Sequence, residues 1–174
     1  MCRYHLPYTE ASLGKIMRAL VTGGAGFIGS HLVDELINLG YNVVVFDNLS
    51  SGKMEFLPDD DKEKFEFIEG DLTNLEQVKS AMKNIDCVFH LAANPDIRLG
   101  TKITDTDLKQ GTIATYNVLE SMRLNDVKKI VFASSSVVYG ENAPLPTPES
   151  FGPCLPISLY GASKLASEGL ITSW

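Results

Sequence analysis

The run Thr22-Gly23-Gly24-Ala25-Gly26-Phe27-Ile28-Gly29 follows a short apolar segment, Arg18 to Thr22, and opens an amphipathic stretch from Phe27 to Leu39. This strand–turn–helix leaves few folds open. Its glycines satisfy both GxGxxG, counted from Gly24, and GxxGxxG, counted from Gly23. Residues without Cβ permit a tight turn, close approach of the backbone to a phosphate, and close packing of helix on strand. The helix that starts there offers unpaired N–H groups and the positive end of its dipole to an anion. A glycine pattern alone is weak, but one placed between a strand and a helix is specific for a dinucleotide pyrophosphate. Within the helix, Ile28, Leu32, Leu36 and Leu39 are spaced for one apolar face, and Gly40 stops it.

Strand and helix signals alternate beyond this point. Asn42 to Asp47 (NVVVFD) is β-branched and uninterrupted, as in a parallel strand buried on both faces. An acidic turn at Asp59 to Asp61 precedes a weaker strand, Phe65 to Glu69. A helix is predicted over Leu75 to Lys83, capped by Thr73 or Asn74, then a strand over Cys87 to Leu91. A long helix over Thr104 to Leu124 leads to another buried strand, Lys129 to Ala133. A loop rich in proline (Pro144, Pro146, Pro148, Pro153, Pro156) leads to a last helix from near Ser158 to Trp174. Such alternation predicts an α/β fold, a Rossmann-type doubly wound parallel sheet in three α/β/α layers, because each parallel pair needs a crossover. Ligands of such sheets sit at the carboxyl ends of the strands, where every motif of this chain falls.

Asp47 ends the second strand, about 18 residues past Gly29. A carboxylate there can accept hydrogen bonds from adenosine ribose hydroxyls and repel a 2′-phosphate, which favours NAD over NADP. The alternative is an Asp that only initiates a turn. Tyr160-Gly161-Ala162-Ser163-Lys164 forms a YxxxK whose i, i+4 spacing puts both side chains on one helical face. A neighbouring ammonium stabilises a tyrosinate, which could then serve as general base toward a hydroxyl. The same pattern also occurs on ordinary solvated helix faces. The triple serine Ser134, Ser135 and Ser136 follows a predicted strand and so lies at the same edge of the sheet.

The 174 residues, 44% hydrophobic and 21% charged, suit one core. We expect an N-terminal extension over 1–16 and an NAD-binding Rossmann domain over 17–174, incomplete at its C-terminal end. A net charge of −7 without a basic run argues against nucleic acid as a partner. No segment approaches the ~20 apolar residues of a membrane span, and the first residues lack a secretory apolar core. Cys2, Cys87 and Cys154 have no metal-ligand or redox spacing, so no metal and a cytoplasmic location are expected.

Taken together, TGGAGFIG, DNLSSG, GDL, HLAAN, FASSSVVYG and YGASK resemble the extended short-chain dehydrogenase/reductase family. Within it the likeness is to NAD-dependent nucleotide-sugar epimerases of the UDP-glucose 4-epimerase type, and it runs from Met17 to the end of the chain. The resemblance implies NAD as cofactor, with Gly23, Gly26, Phe27, Ile28 and Gly29 at the pyrophosphate. Asp47, Asn48, Leu49, Ser50, Ser51 and Gly52 would wrap the adenosine ribose, and Asp71 and Leu72 would meet the adenine. Leu91, Ala92, Ala93 and Ser134 would border the cofactor. Tyr160 would be the catalytic base and Lys164 its partner, both of them also cofactor ligands, and Ser135 the catalytic hydroxyl, with Ser134 and Ser136 as second choices. The substrate implied is a nucleotide sugar, a UDP-hexose, epimerised through a 4-keto intermediate. A homodimer through the helices 104–124 and 158–174 is also implied.

The chain departs from that family in places. Gly111-Thr112-Ile113-Ala114-Thr115 stands where many relatives carry an NVxGT-like stretch, placing a glycine where helix propensity is poor. Full members are two-domain proteins, so this sequence reads as truncated before the substrate domain. Two other readings stay open: a sugar-nucleotide decarboxylase, dehydratase or reductase on the same fold, or a non-catalytic NAD-binding fragment. Against a dehydratase, Ser136-Val137 rather than an acidic pair follows Ser135.

Overall fold

The computed structural model describes residues 16–58 and 64–174. The expected extension, apart from its last residue, and the expected turn at Asp59 to Asp61 lie outside the described residues. The elements, in chain order, are β1 (Arg18–Thr22), α1 (Phe27–Asn38), β2 (Asn42–Asp47), β3 (Phe65–Glu69), α2 (Leu75–Ala81), β4 (Cys87–His90), α3 (Ala114–Leu124), β5 (Ile130–Phe132) and α4 (Leu159–Ser173). Among the described residues, five parallel strands run in the order β3-β2-β1-β4-β5, as a doubly wound sheet requires. The winding reverses between β1 and β4, and loops leaving the two diverge there to open a crevice.

The uninterrupted apolar strands are explained by a core on each face. Successive side chains point to opposite sides of a strand. Leu20, Val44, Phe46 and Val88 pack with α2 and α3 on one side, and Ala19, Val21, Val43 and Val45 pack with α1 on the other. Helices therefore cover both faces, giving the three layers.

Some local expectations are corrected. The buried face of α1 is Gly29, Ser30, Val33, Leu36 and Ile37, while Ile28 and Leu39 are 68% and 64% exposed. Gly29 presses against the Gly23 carbonyl, which sets the helix's rotation, and Leu39 lies past its end. α2 is capped by Asn74, whose Oδ1 accepts the Gln77 N–H at 3.3 Å, but it stops at Ala81. β5 is not a buried strand: Val131 is 56% exposed, because among the described residues β5 pairs only with β4. The predicted long helix is interrupted. Residues Leu108–Ile113 form a wide π turn before α3 begins. Gly111 lies in that turn for a reason of space: a Cβ there would stand 2.6 Å from Ser163 Oγ and 2.9 Å from its Cβ on α4. At the start of α4, Ser158 Oγ accepts the Gly161 N–H at 3.0 Å, an N-cap.

Candidate functional site

The glycine-rich turn is locked from two sides. Gly23 takes φ +69°, and its N–H donates to the Phe46 carbonyl at 2.9 Å. A Cβ at Gly23 would stand 2.8 Å from the backbone N and Cα of Ala92. The next loop is tied to the turn at Ala25. Its N–H donates to Asp47 Oδ2 at 3.1 Å, and its carbonyl accepts the Lys53 N–H at 2.9 Å. Asp47 Oδ1 accepts the Leu49 N–H at 2.8 Å. Asp47 is thus a buried cross-brace between the two loops, which goes beyond the ribose role expected of it. Lone pairs remain on both oxygens for a further donor.

A cleft open to solvent lies at this edge. Of the expected cofactor residues, Gly23, Asp47, Asn48, Ser50, Ser51, Leu72, Ala92 and Ala93 line it. Gly26, Phe27, Ile28 and Gly29 sit beside it at the start of α1, where no side chain caps the helix and no acid occupies the first turn. Leu49 turns with φ +56°, and Gly52 packs under Ala25. Leu91 instead packs against the α1-side core. Asp71 is held in a local turn, its Oδ1 accepting the Thr73 N–H and hydroxyl at 2.8 Å each. Three lining residues escaped the sequence reading: Phe46, Gly70 and Gln110. Gly70 follows β3 at the ligand edge, a signal that the motif GDL carried. Gln110 enters from the π turn, which no sequence period announces.

The second group lies where β5 ends against α4. Lys164 is only 3% exposed, and its Nζ donates to the Ala133 carbonyl at 2.6 Å. Nζ lies 4.6 Å from the Phe132 ring centre and 5.8 Å from that of Tyr160. Burial brings the Lys164 ammonium down to about 8. Burial also pushes the Tyr160 phenol above its ordinary value, the Asp107 carboxylate adds to this, and the Ser135 hydroxyl facing the phenol pulls it back. The net direction for the phenol is upward, opposite to the lowering expected from a neighbouring ammonium. The triple serine divides its work. Ser134 donates its hydroxyl to Glu168 Oε1, Ser135 faces Tyr160, and Ser136 begins a short 3₁₀ turn, Ser136–Tyr139.

Two buried polar groups behind this edge were not singled out from sequence. Asp107 is 1% exposed; Oδ1 accepts from Asn94 Nδ2 at 3.0 Å, and Oδ2 has no partner among the described residues. His90, also 1% exposed, lies with Nδ1 2.7 Å from Thr22 Oγ1 and Nε2 3.1 Å from Thr115 Oγ1. The Thr115 hydroxyl donates to the Gly111 carbonyl at 2.8 Å, so Nε2–H must be the donor to Thr115. Nδ1 then accepts the Thr22 hydroxyl, whose oxygen takes the Ala92 N–H at 3.4 Å. One neutral tautomer satisfies the chain. Burial, and secondarily the Lys164 charge, lower His90 to about 3.

The pattern of the "NAD dependent epimerase/dehydratase family" matches residues 19–174. UDP-glucose 4-epimerase of Halalkalibacterium halodurans is 39% identical over 154 residues, 87% of this chain and 44% of that protein. A crystal structure of a UDP-galactose 4-epimerase superposes with a TM-score of 0.82 at 49% identity, covering 90% of this chain and 51% of the other. UDP-glucose 4-epimerase from Brucella ovis in complex with NAD superposes with a TM-score of 0.83 at 31% identity, over 90% and 47% of the two chains. The chain spans about half the length of the relatives it matches.

Proposed function

We propose a function from one premise: the chain belongs to the NAD dependent epimerase/dehydratase family. It binds NAD and supplies the cofactor and proton-transfer half of a nucleotide-sugar 4-epimerase acting on a UDP-hexose. The observation that carries this reading is the meeting at one sheet edge of the braced glycine turn with Ser135, Tyr160 and Lys164. The cradle fits the cofactor, because a Cβ at Gly23 would fill the approach to Ala92 and the start of α1 is left uncapped. Gly23 to Gly29 would hold the pyrophosphate, and Asp47 to Gly52 the adenosine ribose. Bound there, NAD supplies a reversible hydride acceptor.

The chain's own groups handle the proton. Tyr160 takes it from the sugar hydroxyl as general base, and Ser135 donates a hydrogen bond at the same oxygen. Lys164, with its ammonium already lowered by burial, lies beside the phenol and would hold the cofactor ribose. Residues 17–174 form the cofactor domain of a cytoplasmic enzyme. Among the described residues no helix is long and apolar enough to cross a membrane. A homodimer forms through the 104–124 and 158–174 helices, where Tyr116 and Trp174 meet edge to face at 5.8 Å and stay partly exposed.

Calorimetric titration of NAD into the 174-residue chain and its Asp47→Ala variant tests the cofactor reading. Loss of a charge-assisted hydrogen bond, about 1.5–3 kcal/mol, weakens NAD by roughly tenfold or more. Unchanged affinity would refute the assignment of Asp47. Interconversion of UDP-glucose and UDP-galactose by the same chain tests the reaction; intact NAD binding without turnover restricts it to cofactor binding.

A further inference from the structure

Tyr160, Lys164 and Glu168 recur at i, i+4 and i+8 along α4 and so form one stripe down a single helical face. Three consecutive residues at the end of β5 meet that stripe. The Ala133 carbonyl takes Lys164 Nζ, the Ser134 hydroxyl donates to Glu168 Oε1, and Ser135 leads into the 3₁₀ turn whose Val137 carbonyl would stand 3.1 Å from a Cβ at Gly161, the residue after Tyr160. The contacts are out of sequence: Ala133 meets the middle helix position and Ser134 the last. Ser134 and Glu168 therefore fix the strand end at a point two helical turns from Tyr160. Lys164 makes the middle attachment, and two of its three donors remain for a cofactor.

We propose that Glu168 is a positioning residue: by holding Ser134 it keeps Ser135 directed at Tyr160. The proposal rests on the reading of Ser135 and Tyr160 given above, and it assigns Ser134 to this strap rather than to the cofactor. Glu168 touches no reacting group and acts only through its neighbour. The charged groups facing the phenol, Asp107 and Lys164, are unaltered in each variant proposed here.

The test reads the phenol directly on the 174-residue chain, by the ¹³Cζ resonance of Tyr160 in tyrosine-labelled protein at neutral pH, assigned with Tyr160→Phe. Ser135→Ala defines the displacement caused by losing the hydroxyl contact. Glu168→Ala and, from the other side of the bond, Ser134→Ala are expected to move the resonance in the same direction by at least half as much. Glu168→Gln keeps an acceptor oxygen and stays at the wild-type position. The double variant Ser135→Ala/Glu168→Ala matches Ser135→Ala alone. The Tyr116 resonance, set by Trp174 at the far end of α4, stays fixed and shows that the helix remains docked. Displacement by Ser135→Ala, with wild-type positions in both Glu168→Ala and Ser134→Ala, overturns the strap and leaves the Ser135–Tyr160 reading standing. Displacement in Glu168→Gln, or a double variant that moves beyond Ser135→Ala, also overturns it, since Glu168 would then act by another route. No displacement in Ser135→Ala refutes the underlying reading and the proposal with it.

Discussion

Protonating His90 breaks the polar chain through the core, which makes acid stability a quantitative test of that chain. In the folded protein the ring is neutral, Nδ1 accepting from Thr22 and Nε2 donating to Thr115. A second ring proton would turn Nδ1 into a donor facing the Thr22 hydroxyl and place a buried charge near Lys164. His90 is held at about 3 against an ordinary 6.5. The folded value is depressed, so between these limits the unfolded chain binds the extra proton and the folded chain does not. Stability contributed by the neutral ring is complete above about pH 6.5 and is lost as pH falls toward 3. The slope within that window is ~1.4 kcal/mol per pH unit, which sums to about 5 kcal/mol over the full displacement and about 3 kcal/mol from pH 7.5 to 4.5. Urea unfolding at intervals across that range, on wild type and His90→Gln, isolates the contribution, because the other titrating groups are common to both chains. The variant starts less stable, having lost part of the network. Its stability then falls less steeply with acid, by about 1.4 kcal/mol per unit. Parallel curves for the two proteins would refute the neutral-ring assignment.

Gly111→Ala gains up to about 1 kcal/mol of helix propensity but forces a methyl onto Ser163, whose Oγ is itself fixed to the Tyr160 carbonyl at 2.8 Å. Overpacking of about 1–3 kcal/mol outweighs the gain, so Tm is expected to drop by a few degrees, and a Tm at or above wild type would refute the close approach. Gly23→Ala combines a left-handed backbone with a Cβ 2.8 Å from main-chain atoms of Ala92 that cannot swing away. A loss of at least ~2 kcal/mol in stability and tenfold or more in NAD affinity is expected, and wild-type values for both in urea unfolding and calorimetry would show that the turn is not under this constraint.

What could be read from sequence follows the range of the interaction. β2 and β3 came out with their observed ends because a parallel strand's apolar run is a local signal bounded by local turn residues. The glycine turn and Asp47 were legible for the same reason. The rotation of α1 was not: contact of Gly29 with Gly23, not the spacing of Ile28 and Leu39, decides which face is buried. Gln110 was hidden because an α-helical period mislocates residues in a π turn, and that turn is tied to the packing of Gly111 on a helix some fifty residues away. Asp107 and His90 are single polar residues in apolar surroundings, and only tertiary contacts show what they hold. Ser134 was expected to border the cofactor, and only α4 shows that its hydroxyl meets Glu168.

The strand order also fixes the order in which the two ends of the ligand site can come into being. Pairing β1 with β2 closes a loop of about 24 residues, whereas pairing β1 with β4 closes one of about 68, an extra chain-entropy cost of about 0.9 kcal/mol. As the polypeptide emerges, the β1–α1–β2 unit can therefore assemble first, and with it the cross-brace between Asp47 and Ala25. The Asp47 end of the cleft is a low-contact-order structure. The edge that carries Ser135 and Tyr160 waits for β5 and α4, whose contact through Ser134 and Glu168 spans 34 residues. A nascent chain thus completes the braced glycine turn before the Tyr160 edge exists.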